Sequence, residues 1–164
     1  MFRGISSLNL DAKGRLGIPT RFRDVLAERC DGRVVLTINT AALQTKKNLG
    51  LKTPQRCLWL YPHDEWDTVE QKVADLPSFD PTSQELKRFF IGHATDCELD
   101  SAGRVRISAP LREFAGLEKQ VVLIGQRNKF EIWDESLWKT RCEEWLQIEP
   151  EDRQLPIELE TISL

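Results

Sequence analysis

Residues 10–24 read LDAKGRLGIPTRFRD, and residues 99–113 read LDSAGRVRISAPLRE. The two stretches are identical at six of fifteen aligned positions, and both end on an acid. The identical pairs are Leu10/Leu99, Asp11/Asp100, Gly14/Gly103, Arg15/Arg104, Ile18/Ile107 and Arg23/Arg112. A phrase of this length that occurs twice indicates an internal duplication. We call Asp11–Arg15 the first motif and Asp100–Arg104 the second motif.

The similarity of the two copies continues beyond the motifs. Val34–Leu36 matches Val121–Leu123, and Tyr61 and Trp66 match Trp133 and Trp138. Apolar runs, turn residues and helical spacing predict the same order in each copy: strand, turn, strand, helix, strand, loop, strand, helix. Thr20 and Thr82 are predicted to cap the helices that follow them.

The five tryptophans fall in strand and helix patterns and are interpreted as core or subunit-interface residues.

The duplication predicts an α+β fold in which the two repeats share one core. Four short strands and a helix leave edges and apolar faces open, so one copy rarely folds alone. Two pseudo-twofold-related copies with flanking helices are expected to close a small β-barrel. The boundaries predicted are residues 5–65 for the first repeat, 93–136 for the second, and 137–164 for a C-terminal helix with an acidic tail.

Charge is segregated along the chain. The formal net charge is −3, but residues 1–23 hold five basic side chains against one acid, and residues 39–57 hold four against none. Residues 143–164 hold seven acids against one arginine. Charge alone favours ordinary solvated surfaces, and a local positive face that binds nucleic acid is the alternative.

Several function classes lack support in the sequence. The four cysteines form no C-x-x-C pair and the two histidines are far apart, so no metal site and no cofactor are expected, and reduced thiols are the simpler interpretation. No nucleophile–base grouping or phosphate loop with Lys-Ser/Thr occurs, which predicts that the protein is not an enzyme. The absence of a signal sequence and of a long apolar run predicts a cytoplasmic protein with no membrane contact.

The spacing of Asp and Arg in each motif allows two interpretations. The pair can form a salt bridge across a tight turn and hold the fold. Alternatively, the arginine can contact phosphate or the edge of a guanine, for which its planar fork is well suited. The first motif has Lys13 inside the turn and Arg21 and Arg23 after it. It is therefore the better DNA candidate, and the second motif is expected to be more structural.

Three separated blocks resemble the MraZ family of bacterial transcriptional regulators. They are MFRG…NLDAKGRLGIPTRFR, GHATDCELDSAGRVRISAPLR and VVLIGQRNKFEIWDE, and they span about residues 1–147. The resemblance implies two SpoVT-AbrB-like repeats, a homo-oligomeric ring and a nucleoid-associated repressor. Its partner would be double-stranded DNA with repeated boxes in its own promoter, at the head of the division and cell wall gene cluster. The candidate DNA-binding residues are Arg3, Asp11, Lys13, Gly14, Arg15, Arg21, Asp100, Arg104 and Arg106.

The chain departs from the family pattern in residues 39–55, where the connection is longer and basic. This loop is expected to be flexible, with a phosphate-contacting arm as the alternative. An AbrB-like antitoxin or protein-interaction module is the alternative function. Such antitoxins usually carry one copy and a disordered tail, so the two fused copies favour the regulator.

Overall fold

The computed structural model describes residues 1–43, 51–149 and 151. The first half contains β1 (Phe2–Asn9), β2 (Arg15–Gly17), α1 (Thr20–Cys30), β3 (Arg33–Ile38), a short 3₁₀ helix (Thr40–Leu43), β4 (Leu58–Pro62) and α2 (His63–Ala74). The second half contains α3 (Pro81–Phe90), β5 (Thr95–Glu98), β6 (Arg104–Arg106), α4 (Ala109–Ala115), β7 (Gln120–Arg127), β8 (Phe130–Asp134) and α5 (Glu135–Gln147). The predicted order of elements is confirmed in both copies.

The predicted helix caps are wrong in detail. Thr20 is the first residue of α1, which is preceded by Pro19 and has no side-chain cap. Asp80, not Thr82, caps α3, and its carboxylate accepts a hydrogen bond from the backbone N of Ser83. Proline is favoured at the first helical position, so Pro81 begins the helix and the cap is the residue before it, Asp80. Thr82 lies inside the helix and cannot be the cap.

The six long strands form one antiparallel sheet in the order β1-β7-β8-β4-β3-β5. The corresponding strands of the two copies are β1 and β5, β3 and β7, and β4 and β8. If each strand is replaced by its counterpart in the other copy, the order becomes β5-β3-β4-β8-β7-β1, which is the same order read from the opposite edge. The pairing therefore has a pseudo-twofold relationship, centred between β4 and β8.

The predicted barrel closure is wrong. β1 and β5 are the two edges of the six-stranded sheet, and they do not pair with each other. β2 and β6 instead pair as a separate two-stranded sheet, which we call the ribbon. Within the described residues, β2 has one isolated bridge next to β1, between Leu10 and Leu16. The strand that follows the first turn, β2, pairs instead with β6, its counterpart in the other copy.

The two copies are interlocked in the sheet and in the core. β1 pairs with β7 along its whole length, and β5 pairs with β3. The first strand of each copy thus completes the sheet of the other. The shared core takes apolar side chains from both copies, including Leu16, Ile18, Leu26, Val105, Ile107 and Leu111.

The tryptophans largely follow their predicted role. Trp66 and Trp133 are buried, and Trp59 and Trp138 are partly buried and pack against two smaller clusters of apolar side chains outside the shared core. Trp145, near the end of α5, differs because 39% of it is exposed. The four cysteines are free thiols, and Cys30 and Cys57 are buried.

Candidate nucleic-acid interface

The first motif is a turn organised by the Asp11 carboxylate. Its Oδ1 accepts hydrogen bonds from the backbone N of Lys13 and of Arg15, each at 2.9 Å. Its Oδ2 accepts a hydrogen bond from Nε of Arg15 at 2.7 Å. The backbone N of Gly14 donates to the Asp11 carbonyl at 3.0 Å and closes the turn. One carboxylate therefore fixes both the backbone and the direction of the arginine.

The second motif repeats this geometry. The Asp100 Oδ1 accepts hydrogen bonds from the backbone N of Ala102 at 3.0 Å and of Arg104 at 2.9 Å. Its Oδ2 lies 2.8 Å from Nε of Arg104. The salt-bridge interpretation is thus confirmed for both motifs. It leaves the terminal nitrogens of each guanidinium available, because within the described residues the motif carboxylate engages only Nε.

The pKa of the Asp11 carboxyl and that of Asp100 lie below their ordinary value. The largest cause is the hydrogen bond from the backbone N of the motif arginine, and the arginine side chain adds to it. Desolvation opposes the shift in both cases. Both carboxylates are therefore ionised at neutral pH, and each holds its arginine in one orientation.

The ribbon brings the arginines of the two copies together. Arg15 lies opposite Arg106, and Gly17 lies opposite Arg104. Leu16 and Val105, at the centre of the two strands, are fully buried. Because side chains alternate between the faces of a strand, the flanking arginines project to the outer face.

The outer face of this short ribbon therefore carries Arg15, Arg104 and Arg106. The side chains of Arg15 and Arg104 are 30% and 35% exposed, and Arg106 is exposed. Like charges placed directly opposite on a sheet are destabilising. Arg15 and Arg106 are placed in this way, whereas Arg104 lies opposite Gly17, and the face that they form is a candidate site for an anionic ligand.

Lys13 is exposed at the tip of the first motif, and the equivalent position of the second motif is Ala102. This difference between the two turns, noted from the sequence, is preserved in the structure. The first motif therefore adds a fourth basic side chain next to the ribbon.

Arg21 and Arg3 lie outside the ribbon. The guanidinium of Arg21 donates to Oγ of Ser6 at 3.0 Å and lies 4.6 Å from the centre of the Phe22 ring. It is thus held beside the middle of β1. Arg3 lies opposite Gln126 near the other end of β1, about 26 Å along the chain from the first motif.

Arg23 follows the first motif in the sequence, but its guanidinium also contacts the second motif. Its side chain lies against Gly103 of the second motif, and its Nε donates to the carbonyl of Ile18. Reciprocally, Arg112 of α4 lies against Gly14 of the first motif. The identity of Arg23 and Arg112 in the two copies was the available signal for this exchange. The turn glycine that each arginine lies against is in the opposite copy, which spacing within one copy does not indicate.

The described end of the basic loop is anchored to α5. The backbone N of Thr53 donates to the Glu144 carboxylate at 3.0 Å, and Arg141 donates to the Thr53 carbonyl at 3.1 Å. Both partners belong to α5. Lys46 and Lys47 lie outside the described residues, as does the acidic tail after Glu151.

The described residues contain no group of three or more His, Cys, Asp or Glu side chains arranged to hold a metal ion. Across the same residues, every helix is too short or too polar to cross a bilayer. The ribbon with its two turns is the candidate site in this part of the chain.

Comparison with known proteins gives a consistent result. The family described as "MraZ protein, putative antitoxin-like" matches residues 1–89 and again residues 90–156. A protein of Halorhodospira halophila named "Transcriptional regulator MraZ" is 50% identical over the full length of both chains. Proteins of the same name from Thioalkalivibrio sulfidiphilus and Histophilus somni are 44% and 48% identical, over 100% and 87% of this chain and 100% and 86% of theirs.

Proposed function

Since this chain belongs to the MraZ family of transcriptional regulators, we propose that the ribbon and its two turns form its DNA-binding surface. The proposed contacts come from Arg15, Arg104 and Arg106, with Lys13 at the edge. Asp11, Gly14 and Asp100 shape the turns and orient the arginines. Arg3 and Arg21, along β1, are proposed as outer contacts to the flanking backbone.

The proposal rests on one observation, which is that the outer face of the ribbon carries Arg15, Arg104 and Arg106. A two-stranded antiparallel ribbon fits the major groove of B-DNA, and arginine binds guanine O6 and N7 with two hydrogen bonds. The buried Leu16 and Val105 anchor the ribbon to the core. The arginines are thus presented from a rigid base, so less side-chain entropy is lost on binding.

The negative net charge of the chain means that affinity has to come from this local surface and from repetition. We propose that several copies assemble into a homo-oligomeric ring and engage repeated boxes in one promoter. Linking several weak contacts raises the effective concentration of each, without any new type of contact. The proposed location is the cytoplasm, associated with the nucleoid.

The family resemblance further supports a repressor of its own promoter and of the division and cell wall gene cluster. Each half is proposed to be an SpoVT-AbrB-like repeat, and the boundaries 5–65, 93–136 and 137–164 remain predictions. The regulator family is not a class of enzymes, and we propose no catalytic role.

The test is footprinting of the DNA upstream of this protein's own gene, with wild type, Arg15→Ala and Arg88→Ala. Arg88 is an exposed arginine on α3 that pairs with Glu85, so its removal controls for the loss of one positive charge. We expect regularly spaced protected boxes with wild type and Arg88→Ala and none with Arg15→Ala at physiological salt. Protection by Arg15→Ala equal to wild type would refute the assignment of the ribbon.

A second function is favoured by the description of the matching family as antitoxin-like. In that case an AbrB-like antitoxin or protein-interaction module would bind a small basic partner, with the acidic C-terminal segment as its docking site. Purification of the tagged protein from cells, followed by mass spectrometry, distinguishes the two. A small protein recovered in equal amounts, with no protected DNA, would favour the antitoxin.

A further inference from the structure

The two helices that follow the ribbon exchange arginines between the copies. A Cβ placed on Gly14 would overlap the guanidinium of Arg112, with Cζ at 2.8 Å. A Cβ placed on Gly103 would overlap the side chain of Arg23, with Cζ at 2.7 Å. Each turn glycine thus leaves the space that an arginine of the other copy occupies.

Backbone hydrogen bonds also connect the turn of each copy to the other copy. The N of Ile107 donates to the Gly14 carbonyl at 2.8 Å, and the N of Ile18 donates to the Gly103 carbonyl at 2.9 Å. Both glycines have positive φ, at +76° and +70°, so the turn carbonyls point toward the other copy. Each motif is therefore held on one side by its own aspartate and on the other by the opposite copy.

The two arginines differ in kind from those on the ribbon face. Arg23 and Arg112 are partly buried, and Arg23 donates to the Ile18 carbonyl. Arg112 lines a cleft together with Asp11 and Ala12 of the first motif. Each arginine side chain therefore lies against a turn glycine of the other copy, which suits a group that restrains a turn.

We propose that Arg112 and Arg23 are positioning residues for DNA recognition, each holding the DNA-facing turn of the opposite copy. This inference rests on the proposed function of the ribbon. It makes the two copies one recognition unit, because the first motif, with its lysine, depends on a helix of the second copy. Loss of Arg112 would therefore impair recognition by the first motif although Arg112 itself contacts no DNA.

The test compares Arg112→Ala, Arg112→Lys, Lys13→Ala and Arg88→Ala in binding to the upstream DNA fragment over a range of salt concentrations. We expect Arg112→Ala to weaken binding by roughly tenfold at every salt concentration, leaving the salt slope unchanged. Lys13→Ala, as a lost phosphate contact, should reduce the slope by about one. A slope reduced by Arg112→Ala as much as by Lys13→Ala would overturn the proposal in favour of direct contact, and so would unchanged affinity.

Amide hydrogen exchange of the free protein gives a readout that does not depend on DNA. Arg112→Ala should speed exchange at Ile107, whose amide bonds to Gly14, and leave Ile18 unchanged, whereas Arg23→Ala should do the reverse. Equal protection in wild type and variant would overturn the restraint. If Arg112→Ala fails to fold, Arg112→Lys, which keeps the charge but lacks the planar fork, is expected to show both effects in weaker form. Wild type that fails to bind the fragment, while the exchange pattern holds, would instead refute the DNA-binding role of the ribbon.

Discussion

Arg15 of the first copy and Arg106 of the second copy lie directly opposite each other on the two strands of the ribbon. Arg15 forms an ion pair with Asp11, whereas within the described residues no carboxylate forms an ion pair with Arg106. Like charges directly opposite on a sheet are destabilising, so the pair is expected to cost stability, and it concentrates positive charge at one place. That combination is expected where a surface is retained for an anionic ligand.

The first prediction concerns Arg106→Ala. Removing the opposing charge should leave the free energy of unfolding unchanged or raise it by about 0.2–1 kcal/mol. Affinity for the upstream DNA should fall by about 1–3 kcal/mol if Arg106 reads a base. Chemical denaturation and DNA titration measure the two effects on the same sample. A variant that loses both stability and affinity would mean that Arg106 is structural.

The second prediction concerns acid. The pKa of Asp11 and that of Asp100 are lowered in the folded protein from about 3.8, the ordinary value. The unfolded chain therefore binds these protons more readily, and the stability the carboxylates contribute is fully present only above the unfolded pKa. It is lost as pH falls below about 3.8 and through the folded pKa.

Asp11→Asn and Asp100→Asn should each reduce the dependence of the free energy of unfolding on pH below about 3.8. Each should also lower the free energy of unfolding at pH 7. The measurement is chemical denaturation at a series of pH values between neutrality and acid. Asp24→Asn, at an exposed carboxylate of α1, is the control. An acid dependence in Asp11→Asn identical to that of wild type would contradict the geometry of the turn.

The third prediction separates two nearby glycines. Gly14 has φ of +76°, and a Cβ there would also lie 3.0 Å from the Ile107 carbonyl oxygen. Gly14→Ala should therefore destabilise the protein by about 1–3 kcal/mol. Gly17 is extended, and a Cβ there would lie no nearer than 4.0 Å to Arg23, so Gly17→Ala should be close to neutral. Equal urea midpoints for the two variants would show that the first turn is not restrained as described.

The sequence predicted the elements well because both copies carry the same apolar pattern and the same turn phrase. The resemblance to the MraZ family is confirmed by matches over nearly the whole chain. The barrel was wrong because strand periodicity says nothing about which edges meet. Whether β2 pairs with β1 or with β6 depends on the angle of the turn between β1 and β2. That angle is set by the contacts of Asp11 and Gly14, which the sequence does not show.

The candidate site was predictable in its motif residues and less so in their grouping. Asp11, Arg15, Asp100 and Arg104 were recognised by their spacing, and the structure gives each pair the same local geometry. The side-by-side placement of Arg15 and Arg106 follows from pairing between copies, which local patterns do not encode. The partners of Arg23 and Arg112 were missed for the same reason.

The last prediction concerns whether either half folds alone. Fragments 1–92 and 93–164 divide the chain after α3, whose Phe90 ring lies 5.0 Å from Trp66 and whose Phe90 carbonyl accepts from Thr37. Each fragment therefore keeps its own helices. The first fragment leaves β1 without β7, and the second leaves β5 without β3.

Each fragment alone should be largely unfolded by circular dichroism, because a first strand without its partner exposes apolar surface and unpaired backbone groups. Mixing the two should restore strand content and yield a one-to-one complex, since every cross-copy pairing is intermolecular in the mixture. The complex should also regain affinity for the upstream DNA, since it rebuilds the ribbon. An isolated first fragment that folds and binds DNA by itself would contradict both the interlocked topology and the shared ribbon.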